Sequence, residues 1–183
     1  IGDYVSEHYI RETPGGGIGI YVRPEIKYEK LNKLNKFITE PNECLFLEIE
    51  NNILRKKKNI LVGEIYRRPV GSVNKFIHDM EKLVIDIRGK YSDIYIGTDQ
   101  NIDLTDRSKN YRDMLLSSMY ENDMINTIEI PTRCSYSTDT CIDNIYINIQ
   151  NSDSYKMVVV KDETSDHYPC LLAHYNKEKI LKR

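Results

Sequence analysis

The chain has 183 residues, 26 Lys and Arg against 28 Asp and Glu, a formal charge of −2 and a hydrophobic fraction of 40%. That length suits one soluble globular domain, which buries roughly 70% of the surface its unfolded chain exposes, and the even spread of Ile, Leu, Val, Tyr and Phe argues against disorder. No apolar run approaches the roughly 18 residues of a membrane span, and a pI near 6.1 means that a nucleic-acid partner must be met by a local patch.

The opening IGDYVSEHYIRE starts at Ile1 and has no apolar h-region, so the chain is expected to be processed or to begin partway into something larger. Gly15, Gly16 and Gly17 precede a strand at Ile18–Val22. A phosphate-cradling P-loop follows a strand, opens a helix and needs Lys-Ser/Thr behind it, so these glycines read as a tight turn feeding the strand. Leu45–Ile49 and Ile60–Tyr66 read as two strands of a hairpin joined by the polar segment Asn51–Asn59. The basic run Arg55-Lys56-Lys57-Lys58 at its tip reads as a solvated turn.

Over Val73–Ile87 the apolar positions Phe76, Ile77, Met80, Leu83, Val84 and Ile87 fall at helical spacing. A strand follows at Asp93–Gly97 with Ile94 and Ile96 on one face, then a shorter helix at Tyr111–Tyr120. The final third is strand-rich: Met124–Ile130, Cys141–Ile149, Met157–Val160 and Pro169–His174. Helices interspersed among more numerous strands argue for an α/β protein with a mixed sheet. Cys44, Cys134, Cys141 and Cys170 show no CxxC pair and no zinc-ligand spacing, and read as reduced thiols.

Three segments carry chemistry. GTDQNIDL places Asp99 and Asn101 just after the strand Asp93–Gly97, where extended geometry would turn i and i+2 to one side. Cys141-Ile142-Asp143-Asn144 sets Asp143 at a strand start, and Ser165-Asp166-His167-Tyr168-Pro169 sets a carboxylate beside a histidine ahead of another strand. Each alone is an ordinary turn or cap. Tyr66, followed by Arg67, Arg68 and Pro69, adds a phenol beside two guanidinium groups that could bind phosphate oxygens, or could be plain edge residues.

In series, these blocks resemble the endonuclease/exonuclease/phosphatase superfamily, and within it the endonuclease domains of LINE-type non-LTR retrotransposons. The resemblance runs from about Glu12 to His174 through GGGIGIYVR (Gly15–Arg23), VGEIYRRP (Val62–Pro69), GTDQNIDL (Gly97–Leu104), IPTR (Ile130–Arg133), TCIDNIYIN (Thr140–Asn148) and SDHYP (Ser165–Pro169). It implies a DNase-like four-layer α/β fold, a sandwich of two mixed β-sheets flanked by helices, with the site at one end. Asp99 would position or deprotonate the attacking water, Asn101 and Tyr66 would hold the scissile phosphate, Asp143 would orient His167, and Asp166 would sit by a Mg²⁺ or Mn²⁺ ion. The implied partners are DNA and a reverse transcriptase domain in the parent polyprotein, with action inside the cell, on nuclear DNA, and no membrane.

The family's first strand carries an Asn and its second ends in a Glu, the main metal ligand. Neither is identifiable here, and Glu7 and Glu12 lie very close to the glycine turn. Residues 1–183 are therefore expected to be one N-terminally incomplete domain lacking the first strands. Besides nicking of target DNA to prime reverse transcription, a catalytically inactive remnant and a superfamily phosphatase remain open.

Overall fold

Alternation along Ile60–Tyr66 and Asp93–Asp99 decides how the chain layers. Leu61, Gly63 and Ile65, then Ile94, Ile96 and Thr98, turn to one side and are buried, while the residues between them are half-buried. The computed structural model describes residues 2–10, 17–51, 58–135, 137–148, 154–162 and 164–175. Its strands are β1 (Val5–Tyr9), β2 (Ile18–Val22), β3 (Tyr28–Lys30), β4 (Glu43–Ile49), β5 (Ile60–Tyr66), β6 (Asp93–Asp99), β7 (Met124–Asn126), β8 (Arg133–Cys134), β9 (Asp139–Thr140), β10 (Asp143–Asn148), β11 (Tyr155–Val159) and β12 (Cys170–His174). Helix α1 (Val73–Ile87) links β5 to β6, α2 (Tyr111–Glu121) precedes β7, and a 3₁₀ segment covers Asn32–Phe37.

Six strands form one mixed sheet in the order β3-β4-β5-β6-β10-β7. Only β5 and β6 run parallel, because α1 carries the chain back across the sheet between them. Helix α1 starts where Ser72 Oγ accepts from the Lys75 amide at 3.3 Å, an N-cap. Its stripe Phe76, Ile77, Met80, Leu83, Val84 and Ile87 is buried against Phe46, Leu61, Ile65, Ile94, Ile96 and Tyr146 of the sheet. Asp79 is buried on the same helix and accepts from Thr39 N at 3.2 Å and Thr39 Oγ1 at 2.6 Å, which ties the segment after the 3₁₀ turn to α1.

The opposite face of the sheet is covered by separate hairpins. Strands β1 and β2 pair antiparallel and contact β4 and β5. There Ile18 and Val22 are buried, as are Leu45 and Leu47 on β4. Strands β11 and β12 pair and reach β10. Between β12 and the sheet lies a cleft of about 420 Å³ lined by Val62, Tyr95, Ile145, Leu172 and His174. The architecture is the expected mixed sheet flanked by helices, with its second layer, among the described residues, made of two-stranded pieces.

Several boundaries differ from the sequence reading, each for a local reason. The strand expected over Met124–Ile130 stops at Asn126, because the amides of Thr127 and Ile128 turn onto Asn144 Oδ1 at 3.0 and 3.3 Å. The strand expected from Cys141 begins at Asp143, because the Cys141 amide donates to Asp103 and the Ile142 amide to Thr132. Strands β1, β3, β8 and β9 have no counterpart in that reading; their two to five residues are mostly polar or aromatic and carry little periodic signal. Gly15, Gly16 and Arg55–Lys57 lie outside the described residues. All four cysteines are free.

Gly63 faces the core beside Phe46, and a methyl group there would sit 2.6 Å from Phe46 Cδ1. Gly63→Ala should cost about 1–3 kcal/mol in urea unfolding, and Phe46→Leu in the same chain should recover part of it. An unchanged urea midpoint for Gly63→Ala would show that the ring can move aside freely.

Candidate active site

Sheet register collects the acidic residues. Asp143 on β10 stands directly opposite Asp99 on β6, and Asp99 stands beside Tyr66 on β5. Directly paired residues project from the same face, so Tyr66, Asp99 and Asp143 form one rung at the end of the sheet where β5 and β6 finish. A cleft of about 250 Å³ opens above it, lined among others by Glu64, Gly97, Asp99, Asp143, Tyr168 and Cys170.

His167 approaches this rung from the loop before β12. Its Nδ1 lies 3.1 Å from Asp143 Oδ1 and 3.0 Å from Oδ2. A carboxylate accepts only, so Nδ1 carries the proton and the other ring nitrogen is left for chemistry. Thr132 holds both halves of this pair. Its Oγ1 accepts from the amides of Ile142 at 3.2 Å and Asp143 at 3.0 Å, and its carbonyl accepts from the Tyr168 amide at 2.7 Å. The IPTR block contained Thr132, but a buried hydroxyl has no spacing signature, and the sequence reading passed over it.

Strand β6 runs two residues further than expected, through Asp99, and then extended geometry ends. Asn101 adopts φ 46° and donates its amide to Asp99 Oδ1 at 3.3 Å. Asp99 and Asn101 are therefore brought together by a turn, not by the i, i+2 geometry of a strand; Asn tolerates that left-handed conformation better than most residues. Asn101 Nδ2 donates to the Arg67 carbonyl at 2.7 Å. Gln100 and Thr98 turn to the helix side and are buried, with Tyr146 Oη donating to Gln100 Oε1 at 2.7 Å.

Arg67 and Arg68 part company. Arg67 is only 4% exposed and donates to backbone carbonyls, whereas Arg68 is half-buried and Tyr66 shares the rung with Asp99. Asp166 stands outside the cluster. Arg133 donates to its Oδ2 from Nε and Nη2, both at 2.8 Å, and this pairing holds the Asp166 carboxyl below its ordinary range. Glu7 accepts from Tyr28 Oη at 3.1 Å and pairs with Lys30 at 3.4 Å, both on the edge strand β3, three strands from β6.

Glu64 is the carboxylate that the sequence reading missed. It lies beside Gly97 in the parallel register, and its carboxylate occupies the space that a side chain at Gly97 would need. Burial, with the charges of Asp143 and Asp99 added, raises the Glu64 carboxyl from 4.5 to about 7. Asp99 is raised as well, by burial first and Asp143 second, with His167 and Arg133 acting in the other direction. Asp99, Asp143 and His167 present ligand atoms within 4.8 Å of one another. The two hard carboxylates suit a divalent cation, with the Nδ1–H of His167 held on Asp143 beside them.

No protein-family model and no curated protein sequence matches the chain. Solved structures do. The endonuclease domain of TRAS1, a telomere-specific non-LTR retrotransposon, matches with a TM-score of 0.77 at 14% identity, over 97% of this chain and 82% of that one. An endonuclease/exonuclease/phosphatase family protein from Bacteroides thetaiotaomicron matches at 0.61 and 15% identity, over 93% and 72%. The fold is that of the endonuclease/exonuclease/phosphatase superfamily. A 3′ phosphatase from Neisseria, NExo, bound to a product DNA hairpin, matches at 0.66 and 13% identity, over 94% and 80%. The likeness shows the fold, and the Asp99–Asp143–His167 cluster lies at the end of its sheet.

Two expectations follow from this geometry. Thr132→Val strands the Ile142 and Asp143 amides without an acceptor and should cost about 1–3 kcal/mol in urea unfolding; an unchanged midpoint would mean that both find other partners. For Glu64, a folded pKa above the unfolded one means that its contribution is full below about 4.5 and lost as the pH rises through about 7. In EDTA, wild type and Glu64→Gln should have similar Tm near pH 4.5. By about pH 8 the variant should be more stable by roughly 2 kcal/mol. Parallel Tm curves across that range would show that Glu64 ionises normally.

Proposed function

We propose that this domain is a metal-dependent DNA endonuclease that nicks target DNA by phosphodiester hydrolysis, leaving a 3′-hydroxyl from which a retroelement's reverse transcriptase is primed. The observation that carries the reading is the rung of Asp99 and Asp143 with His167 Nδ1 3.0 Å from Asp143. The retroelement assignment draws on the likeness to the TRAS1 domain and on the IPTR, TCIDNIYIN and SDHYP blocks. DNA as substrate draws on the same likeness and on the DNA-bound NExo fold.

Roles follow from placement. Asp99 orients and deprotonates the attacking water, and the burial that raises its carboxyl makes it a stronger base. Asp143 fixes the imidazole through Nδ1–H, and a second proton on the ring gives His167 an Nε2–H donor toward the phosphate, where negative charge develops in the transition state. Asn101 and Tyr66 contact the phosphate oxygens. Mg²⁺ or Mn²⁺ held among the carboxylates would supply a Lewis acid at the phosphate. A metal-side role for Asp166 requires its pair with Arg133 to open.

The test is nicking of supercoiled plasmid by the 183-residue chain with Mg²⁺ or EDTA. His167→Ala and Asp99→Ala should each lower the rate on the order of 10²–10⁴-fold, and EDTA should abolish it. Undiminished nicking in either variant would overturn the residue roles. Turnover of a small phosphate ester without DNA cleavage would make the domain a phosphatase. Folded protein with neither activity would mark a catalytically inactive remnant.

A further inference from the structure

One residue contacts every member of the Asp99-Gln100-Asn101 turn. The Arg67 amide donates to the Asp99 carbonyl at 2.8 Å. Its Nε donates to the Gln100 carbonyl at 2.7 Å and its Nη2 to the Asn101 carbonyl at 3.0 Å. Its own carbonyl accepts from Asn101 Nδ2 at 2.7 Å. The remaining arm, Nη1, donates to the carbonyls of Arg68 at 3.1 Å and Gly71 at 3.0 Å, in the connection that leads into α1.

We propose that Arg67 is a positioning residue, a buried guanidinium clamp that holds Asp99 and Asn101 in their working orientation. A phosphate-binding role is set aside by the geometry. The side chain is 4% exposed, and four of its five N–H groups are spent on carbonyls of its own chain. A planar fork is needed, because the acceptors lie in three directions around one plane and an ammonium presents all its donors from a single nitrogen. Turn residues alone do not hold this conformation, since Asn101 sits at φ 46°, where non-glycine residues are uncommon. With the clamp removed, the Asn101 amide and the Asp99 carboxylate lose their fixed separation from His167.

The kinetic part of this inference rests on the endonuclease reading; the structural part does not, and one experiment separates them. In Arg67→Lys, amide hydrogen exchange over residues 99–104 should speed up by at least about 30-fold while α1 keeps its protection. Unchanged exchange in the turn would overturn the clamp, and so would loss of protection throughout the chain, which would make Arg67 a support of the whole fold. In plasmid nicking by the same variant, kcat should fall about 100-fold with KM within about threefold of wild type, as expected for misplaced reacting groups. A raised KM with kcat unchanged would make Arg67 a DNA contact and overturn the proposal. A wild-type chain that does not nick would sink the endonuclease reading and leave the exchange result to decide the clamp.

Discussion

The pairing of β10 against β6 in the register Asp143 to Asp99 is the constraint on which the site depends. A slip of one residue would turn Asn144 to the cleft and bury Asp143 against the helices. Asn144 makes that slip costly. Its Oδ1 accepts from the amides of Thr127, Ile128 and Ile145, and its Nδ2 donates to the Ile128 carbonyl. A buried amide with these bonds fits only one register, so the same Asp-Asn pair supplies a cleft-facing carboxylate on one face and the lock that aims it on the other.

Around this register the sheet end is fastened by buried polar side chains where an apolar contact would have left the loops free to shift. Gln100 meets the Tyr146 phenol, Thr132 gathers two amides, and Arg67 takes four carbonyls. Satisfied polar groups of this kind contribute little net stability, yet each specifies a direction, and an alternative packing would leave a donor or acceptor unmet. The apolar core under α1 and α2 supports the platform; the polar network decides where the carboxylates point.

Legibility in the sequence follows the same division. Helix α1 and strands β2 and β5 were readable to the residue, because each buries one face and the burial shows as a period. The rung was readable in part. Asp99, Asp143 and His167 lie in motifs whose order is informative, and the structure brings them together. The turn at Asn101 was not legible, because a single left-handed residue leaves no pattern. Nor were the tasks of Thr132 and Arg67, whose partners are backbone atoms and so carry no residue identity. Reading Arg67 as a partner of Tyr66 on phosphate assumed that a charged residue after a strand is exposed; here it turns inward.

Electrostatics at the rung give the cation a reason independent of likeness to any other fold. Glu64 and Asp99 are both raised by burial and by the Asp143 charge, which means that each carboxylate is ionised at a cost to the others. His167 and Arg133 offset part of this at Asp99, but Arg133 also spends two N–H groups on Asp166. Under the proposed function a phosphodiester would bring a further negative charge, and in a partly buried cleft that repulsion is poorly screened. Two added positive charges beside Asp99 and Asp143 would cancel the charge of that pair and relieve most of this repulsion. The same charges would lower the Glu64 and Asp99 carboxyls, so that binding the cation and ionising these two carboxylates become one event.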